Sequence, residues 1–300
     1  MRAAAIFGPG SSAKDLEPFQ KSSEATWAIG LPTAPNDADA ILIFGGDGTV
    51  HRYLAQLVEL QLPVLVVPRG SGNDFARALK LGSIRDSLAA WRTFCSGGRN
   101  VRTIDLGVIT PLNTDRYGAS ESPAPRYFCC VGGVGLDAEI AGRANQLPRW
   151  LRAHGGYLLS FLPALLGFVP VSMKISVPFA ENRDAFVARS AKPIVVAAFA
   201  NGPSYGGGMK IAPKAKLDDG ALDVCVIPHM NKFKLCCLFP TVYFGRHLSV
   251  APVEYFQTER LRLETEEPFD AYADGEYVCR TPIEVSVARG ALRVIVDRRD

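Results

Sequence analysis

The chain has no apolar run long enough to cross a bilayer. Its longest, Gly155-Gly-Tyr-Leu-Leu-Ser-Phe-Leu-Pro-Ala-Leu-Leu-Gly-Phe-Val-Pro170, falls short of the roughly 20 residues that span hydrocarbon and is interrupted by proline. The run from Ala3 to Phe7 is too short for a signal-peptide core and reads as a first β-strand. Charge of a single sign is also missing. With 33 basic and 30 acidic side chains mixed along the chain, the net +3 makes no clustered basic field, so nucleic acid is not expected as a partner. The seven cysteines, at 95, 129, 130, 225, 236, 237 and 279, show no Cys-x-x-Cys spacing and no neighbouring histidine pair. An odd, unspaced set argues against a disulfide framework or a zinc site and for buried free thiols in a reducing compartment. Histidines 51, 154, 229 and 247 have no metal spacing, and no Gly-x-Ser-x-Gly elbow is present for a hydrolase. A Walker A loop is absent too, since neither Gly45-Gly-Asp-Gly-Thr49 nor Gly8-Pro-Gly-Ser-Ser-Ala-Lys14 has its spacing.

What the chain does have is 300 residues at 48% hydrophobic content, enough for two cores. Ala40–Phe44 ends in glycines and is followed by a helical pattern over Thr49–Leu60; Val64–Val67, a Pro-Arg-Gly-Ser-Gly turn and Asp74–Leu81 repeat the order. Alternating β and α units imply a parallel sheet covered by helices, with ligands outside the carboxyl ends of its strands. After Asp105 the runs are strand-like and bounded by Pro, Gly and Asn: Arg126–Val131, Met173–Val177, Ile194–Ala200, Leu222–Ile227, Arg260–Thr265 and Ile283–Val287. They predict an antiparallel sandwich or barrel. Ala291–Val296 is a continuous apolar strand that could join either sheet, and 111–125 reads as a surface loop.

Two glycine turns carry candidate chemistry. In Gly45-Gly-Asp-Gly-Thr49, glycines let backbone N–H groups approach a phosphate at a helix N-terminus, and Asp47 is placed to meet a metal or phosphate environment. A plain βα turn capped by Thr49 fits the same residues. In Pro68-Arg-Gly-Ser-Gly-Asn-Asp-Phe-Ala-Arg77, Ser71 and Asn73 could reach ribose or phosphate oxygens, or the segment could simply cap a helix near Asp74. Asp274-Gly275 between apolar residues is a hairpin-turn signal, and Asp219-Gly220 reads as an exposed turn. Gly133-Val-Gly-Leu-Asp-Ala138 imitates a dinucleotide fingerprint. No acid follows between Glu139 and Glu181, however, so a dehydrogenase is set aside.

Together the two glycine turns resemble the diacylglycerol kinase catalytic-domain family, which includes bacterial lipid kinases and, more distantly, sphingosine and ceramide kinases. Further words match in order: Asp105-Leu-Gly107, Gly132-Gly-Val-Gly-Leu-Asp-Ala138, Asn201-Gly-Pro-Ser-Tyr-Gly-Gly-Gly208, Ile211-Ala-Pro213, Asp219-Gly-Ala-Leu-Asp223, Asp274-Gly-Glu276 and Ala291-Leu-Arg-Val294. The resemblance implies a Rossmann-like α/β domain of the NAD-kinase type over 1–106, completed by 290–300. It also implies a β-sandwich or barrel-like lipid-kinase domain over 107–289. By the same resemblance Gly45, Gly46, Asp47, Gly48, Thr49, Ser71, Gly72, Asn73 and Asp74 bind ATP. Asp47, Asp74 and Asp105 organise the active-site Mg²⁺, and Asp219 with the backbone carbonyls of Lys216 and Ala221 holds a structural Mg²⁺.

The implied activity is transfer of the γ-phosphate of ATP to a lipid hydroxyl, diacylglycerol giving phosphatidic acid. Asp274 is the expected base with Glu276 a close second, and Asp47 joins the catalytic set. Other lipid alcohols, a polar-substrate kinase of the NAD-kinase type and a nucleotide-binding regulator remain alternatives. A cytoplasmic enzyme meeting its lipid at the inner membrane face is expected, with Arg143, Arg149, Trp150 and Arg152 ahead of the apolar run suiting an anionic surface; a core helix with a basic end fits as well. A homodimer is left open. The chain departs from the family at Gly8-Pro-Gly-Ser-Ser12, which replaces an Asn-Pro-x-Ser-Gly word, in a shortened span before the glycine loop, and at Arg52, where many members carry Glu.

Overall fold

A computed structural model describes residues 1–112, 125–148, 151, 156–179 and 181–297. Most of the expected 111–125 loop, along with Arg149, Trp150 and Arg152, lies outside these residues. The chain forms two compact units, Met1–Leu106 with Arg289–Asp300, and Gly107–Ala288.

The first unit runs β1 (Arg2–Phe7), α1 (Glu17–Gln20), β2 (Thr26–Ile29), β3 (Ala40–Gly45), α2 (Asp47–Leu60), β4 (Val64–Pro68), α3 (Asp74–Ala78) and α4 (Ile84–Cys95). Strand β5 (Val101–Pro111) then carries the chain into the second unit. Strands β2, β1, β3 and β4 pair side by side, all parallel. Ile41, Leu42, Ile43 and Phe44 are fully buried, the continuous apolar run expected of a strand covered on both faces. Leu54 and Leu57 of α2 and Trp91 of α4 complete this core. Helix α4 starts at a capping box in which Ser83 and Asp86 exchange side-chain-to-backbone bonds of 3.2 and 2.9 Å. The helix expected over Asp74–Leu81 stops at Ala78. Lys80 turns to φ +58°, and the Leu81 amide closes on the Ala76 carbonyl at 2.8 Å, which ends the helical ladder.

The second unit contains β6 (Arg126–Phe128), β7 (Val131–Gly135), α5 (Leu136–Gln146), α6 (Gly156–Gly167), β8 (Val171–Phe179), β9 (Asn182–Ala200), β10 (Leu222–Pro228), α7 (Lys232–Val242), β11 (Glu254–Thr258), β12 (Arg260–Thr265), β13 (Asp270–Ala273) and β14 (Glu276–Arg280). Strand β15 (Ile283–Ile295) begins here, and its end returns to the first unit, where Val294 pairs parallel with Val64 of β4. The final apolar run therefore continues Ile283–Val287 as one strand. Within the unit the pairing order is β14-β13-β7-β9-β8-β12-β15, antiparallel throughout, with β10 on β9 and β11 on β10.

Alternation sets the register. In β12, Leu261 and Leu263 are fully buried, while Arg260 and Arg262 on the opposite face clasp Glu284 of β15 at 2.7 and 2.9 Å. The core beneath holds Phe128 edge-on to Phe199 at 5.6 Å, with Ile175, Val224 and Val285. Helices α5 and α7 were not foreseen. Helix α7 buries only Leu235, Leu238 and Val242, and apolar residues elsewhere on its surface blur the periodicity. All seven cysteines are free, but Cys236 and Cys237 on α7 are exposed, which corrects the expectation of buried thiols throughout.

Candidate functional site

In the first unit three turns converge at the carboxyl ends of β1, β3 and β4. The amide of Gly8 donates to the Phe44 carbonyl at 2.8 Å, and that of Arg69 to Gly45 at 2.9 Å. The two glycine turns touch backbone to backbone: a Cβ added to Gly46 would lie 2.8 Å from the Gly70 Cα, and one added to Gly70 would lie 2.6 Å from the Gly46 Cα. Any side chain would force the turns apart. The Thr49 side chain is nearly buried, and a Cβ at Gly8 or Gly45 would lie 2.2 or 2.5 Å from its Oγ1. Glycine at these positions is thus demanded by packing, and the N-terminus of the 14-residue helix α2 is left at the turn, where its dipole favours anions.

Asp47 is used within the protein. Its carboxylate accepts the backbone amides of Asp74 and Phe75, each at 3.0 Å, and so caps α3 across 27 residues. Asn73, at φ +53°, closes its own turn by accepting from the Gly70 amide at 2.8 Å and donating to the Gly70 carbonyl at 2.6 Å. Ser71 is exposed, Gly72 is half-buried, and buried Asp74 pairs with Arg77 at 2.7 Å. Asp105 is buried and accepts the Gly290 amide at 2.7 Å. Among the described residues the only three potential metal ligands within 4.8 Å of one another are Cys129, Cys130 and Asp274. Asp47, Asp74 and Asp105 form no such tight cage. A partly hydrated Mg²⁺ needs only one or two carboxylates, and the all-oxygen donor set fits that ion. The same holds at Asp219, whose Oδ1 accepts the Ala221 amide at 3.2 Å in a turn where Gly220 has φ +70°.

In the second unit Asp274 and Gly275, at φ +50° and +85°, form the two-residue turn between β13 and β14, the mirror-image geometry that suits twisted hairpins. The Asp274 carboxylate accepts the amides of Cys129, Cys130 and Val131 at 2.8, 2.8 and 3.3 Å, and the Cys129 thiol at 3.3 Å. The buried Asn201 word meets the same segment, since the Asn201 and Gly202 amides both donate to the Cys130 carbonyl at 2.8 Å. Asn145 from α5 holds the turn through the Gly275 carbonyl at 2.6 Å. Glu276, the first residue of β14, is exposed.

A pocket of about 50 Å³, open at its mouth, also lies in this unit. Ile140, Phe161, Met209, Ile211, Leu238 and Phe239 are among its walls, and Asp137 is the one carboxyl group in its lining. The triple glycine word shapes the pocket: Gly206, Gly207 and Gly208 take φ of +59°, +85° and +110° and turn Tyr205 and Met209 onto it. Asp137, in the first turn of α5, is buried, and desolvation pushes its carboxyl up to about 7 against the backbone amides that favour the ionised form. Gly133 makes room for it, because a Cβ there would lie 2.0 Å from Asp137 Oδ2. The role of this acid was missed from sequence, where its glycines resembled a dinucleotide fingerprint. No described helix is long and apolar enough to cross a membrane.

Comparison with known proteins places both parts. Residues 16–109 match the diacylglycerol kinase catalytic domain, and residues 131–296 match the YegS C-terminal NAD kinase beta sandwich-like domain. A diacylglycerol kinase of Mycobacterium tuberculosis strain H37Rv is 30% identical over 260 residues, covering 87% of this chain and 77% of that protein. A diacylglycerol kinase of Bacillus subtilis strain 168 is 26% identical over 267 residues, covering 86% and 80%. Among solved structures, a diacylglycerol kinase from Bacillus anthracis shares the fold with a TM-score of 0.70 at 20% identity, covering 99% of this chain and 97% of that one. An NAD kinase from Archaeoglobus fulgidus in complex with ATP follows at 0.53 and 13%, covering 100% and 95%. With both parts matched in order, and a relative of this identity and coverage, the chain belongs to the lipid kinase family that joins a diacylglycerol kinase catalytic domain to a YegS-type C-terminal domain.

Proposed function

We propose that this kinase transfers the γ-phosphoryl group of Mg-ATP to the hydroxyl of a membrane lipid, with diacylglycerol as the acceptor and phosphatidic acid as the product. The observation that carries the lipid assignment is the second unit's pocket, whose lining is apolar except for Asp137 and Tyr205. A polar acceptor would leave such walls unsatisfied, while an acyl chain removes their apolar surface from water. The contact of Gly46 with Gly70 and the start of α2 support phosphate binding in the first unit. Bound Mg²⁺ would neutralise developing phosphate charge, with Asp47, Asp74 and Asp105 as its outer carboxylates and Asp219 with Lys216 and Ala221 as a separate structural set. Phosphoryl transfer asks mainly for positioning and charge neutralisation, so one carboxylate base suffices.

Between the two base candidates the hydrogen bonding favours Glu276 over Asp274. Both Asp274 oxygens already accept donors, which occupies their lone pairs and fixes the group as a brace for the turn. Glu276 is exposed one residue beyond that turn. We therefore assign proton acceptance to Glu276 and positioning to Asp274. The experiment is phosphate transfer from radiolabelled Mg-ATP to diacylglycerol, phosphatidylglycerol, ceramide and sphingosine in mixed micelles, comparing the wild type, Glu276→Gln and Asp274→Asn. Transfer to diacylglycerol that is lost in Glu276→Gln supports the reading. Transfer to another lipid redirects the substrate, and ATP binding without any transfer refutes catalysis.

A further inference from the structure

Two segments far apart in sequence share one character. From Ile140 to Ala180 and from Val224 to Val253 there is no Asp or Glu, while Arg143, Lys174, Lys232, Lys234 and Arg246 are present. The fold brings helices from both together. Phe161 of α6 stacks on Phe239 of α7 at 3.7 Å, and Lys232 Nζ at the start of α7 donates to the Leu166 carbonyl of α6 at 2.5 Å. On the outside, large apolar side chains face solvent: Leu162 and Leu166 of α6 are 53% and 64% exposed, Phe233 of α7 is 76% exposed, and Phe244 just past it is 74% exposed. Scattered single exposures of this kind are ordinary, but three on two packed helices without an acid, and a fourth just beyond them, are not.

We propose that the outer face of α6 and α7 is a bilayer-docking surface, with Phe233 and Phe244 as its inserting anchors and Lys234 among its contacts with anionic headgroups. Sequence pointed only to the first helix; α7 is the added element. Choosing a bilayer over another occupant follows from charge complementarity: α6 and α7 carry no acid, Arg143 and Lys174 are paired with Glu139 and Glu264, and exposed Lys234 and Arg246 remain to meet anionic lipid. The choice rests on the lipid-kinase reading above, and the experiment separates the two. Phe161, Leu238 and Phe239 line the pocket from α6 and α7, so docking would set the pocket's helices against the lipid source.

The test is co-sedimentation of the full chain with vesicles of phosphatidylcholine alone or with phosphatidylglycerol, alongside size-exclusion chromatography, for the wild type, Phe233→Ser with Phe244→Ser, and Lys234→Gln. Vesicle affinity should fall on the order of tenfold or more in the phenylalanine double variant. Lys234→Gln should cost about fivefold, and only on the anionic vesicles. Both variants should melt as the wild type does and should phosphorylate a short-chain diacylglycerol dispersed as monomers at the wild-type rate. Unchanged vesicle binding in the double variant would overturn the proposal. So would a wild-type dimer that this variant converts to monomer without loss of vesicle binding, because the face would then belong to a second copy. Loss of vesicle binding in a protein that phosphorylates no lipid would support docking and refute the kinase reading alone.

Discussion

Replacing Asp137 by Asn offers a prediction whose sign and size both follow from burial. The carboxyl is buried in the first turn of α5 and titrates near 7 in the fold, against an ordinary value of 3.8. Between those pH values the folded chain holds a proton that the unfolded chain has released. Stability due to this group therefore falls as pH rises through the window and levels off above it. The shift of roughly three pH units corresponds to about 4 kcal/mol at full ionisation. About 1.7 kcal/mol of this is already lost at pH 5, so the variant should gain a further 2–3 kcal/mol over the wild type between pH 5 and pH 8. Asn keeps the shape and an acceptor oxygen without the charge. Urea unfolding at the two pH values reads the effect as a widening gap in midpoints of roughly 1 M. A constant gap would refute the argument, because it would mean that the folded Asp137 ionises like a solvated acid.

The other predictions concern site residues in each unit and one core contact of the second. Glu276→Gln should lower kcat by about a hundredfold or more at unchanged melting temperature, while Asp274→Asn should destabilise by about 1–3 kcal/mol because its acceptors serve three amides; thermal melts with initial-rate assays distinguish them. Asp47→Ala removes the acceptor of two α3 amides and should cost about 1–2 kcal/mol as well as weakening ATP binding, read by denaturation and calorimetry. Gly107→Ala puts a Cβ 2.0 Å from the Phe128 ring and should cost about 1–3 kcal/mol, partly restored by adding Phe128→Leu, again by urea unfolding. Chelation of Mg²⁺ should abolish transfer, and Asp219→Asn should reduce the rise in melting temperature that added Mg²⁺ gives the wild type.

How far sequence led depended on whether a residue's role is local. The strands of the second unit were legible because alternation along one strand, as in Arg260-Leu-Arg-Leu263, already assigns its faces. The glycine words were legible as turns, but the reason Gly46 and Gly70 must be glycine is their contact with each other, 24 residues apart in the chain. Asp47 has an equally long-range role: its carboxylate caps a helix started by the second turn. Helix α7 was hidden because three buried positions in eleven residues give a weak period when the remaining surface is also apolar. That excess is what marks the helix as a docking face.

The fingerprint-like Gly133-Val-Gly-Leu-Asp-Ala138 is the most instructive case. In a dinucleotide site the glycines admit a pyrophosphate to a helix N-terminus. Here Gly135, at φ +111°, turns β7 into α5, and the space beside Gly133 is filled from within by the carboxyl of Asp137. The same local chemistry thus brings an acid of the chain itself to a helix start and seals it against an apolar pocket. Because burial favours the neutral form, that acid can line an apolar pocket near neutral pH without committing a full charge to it.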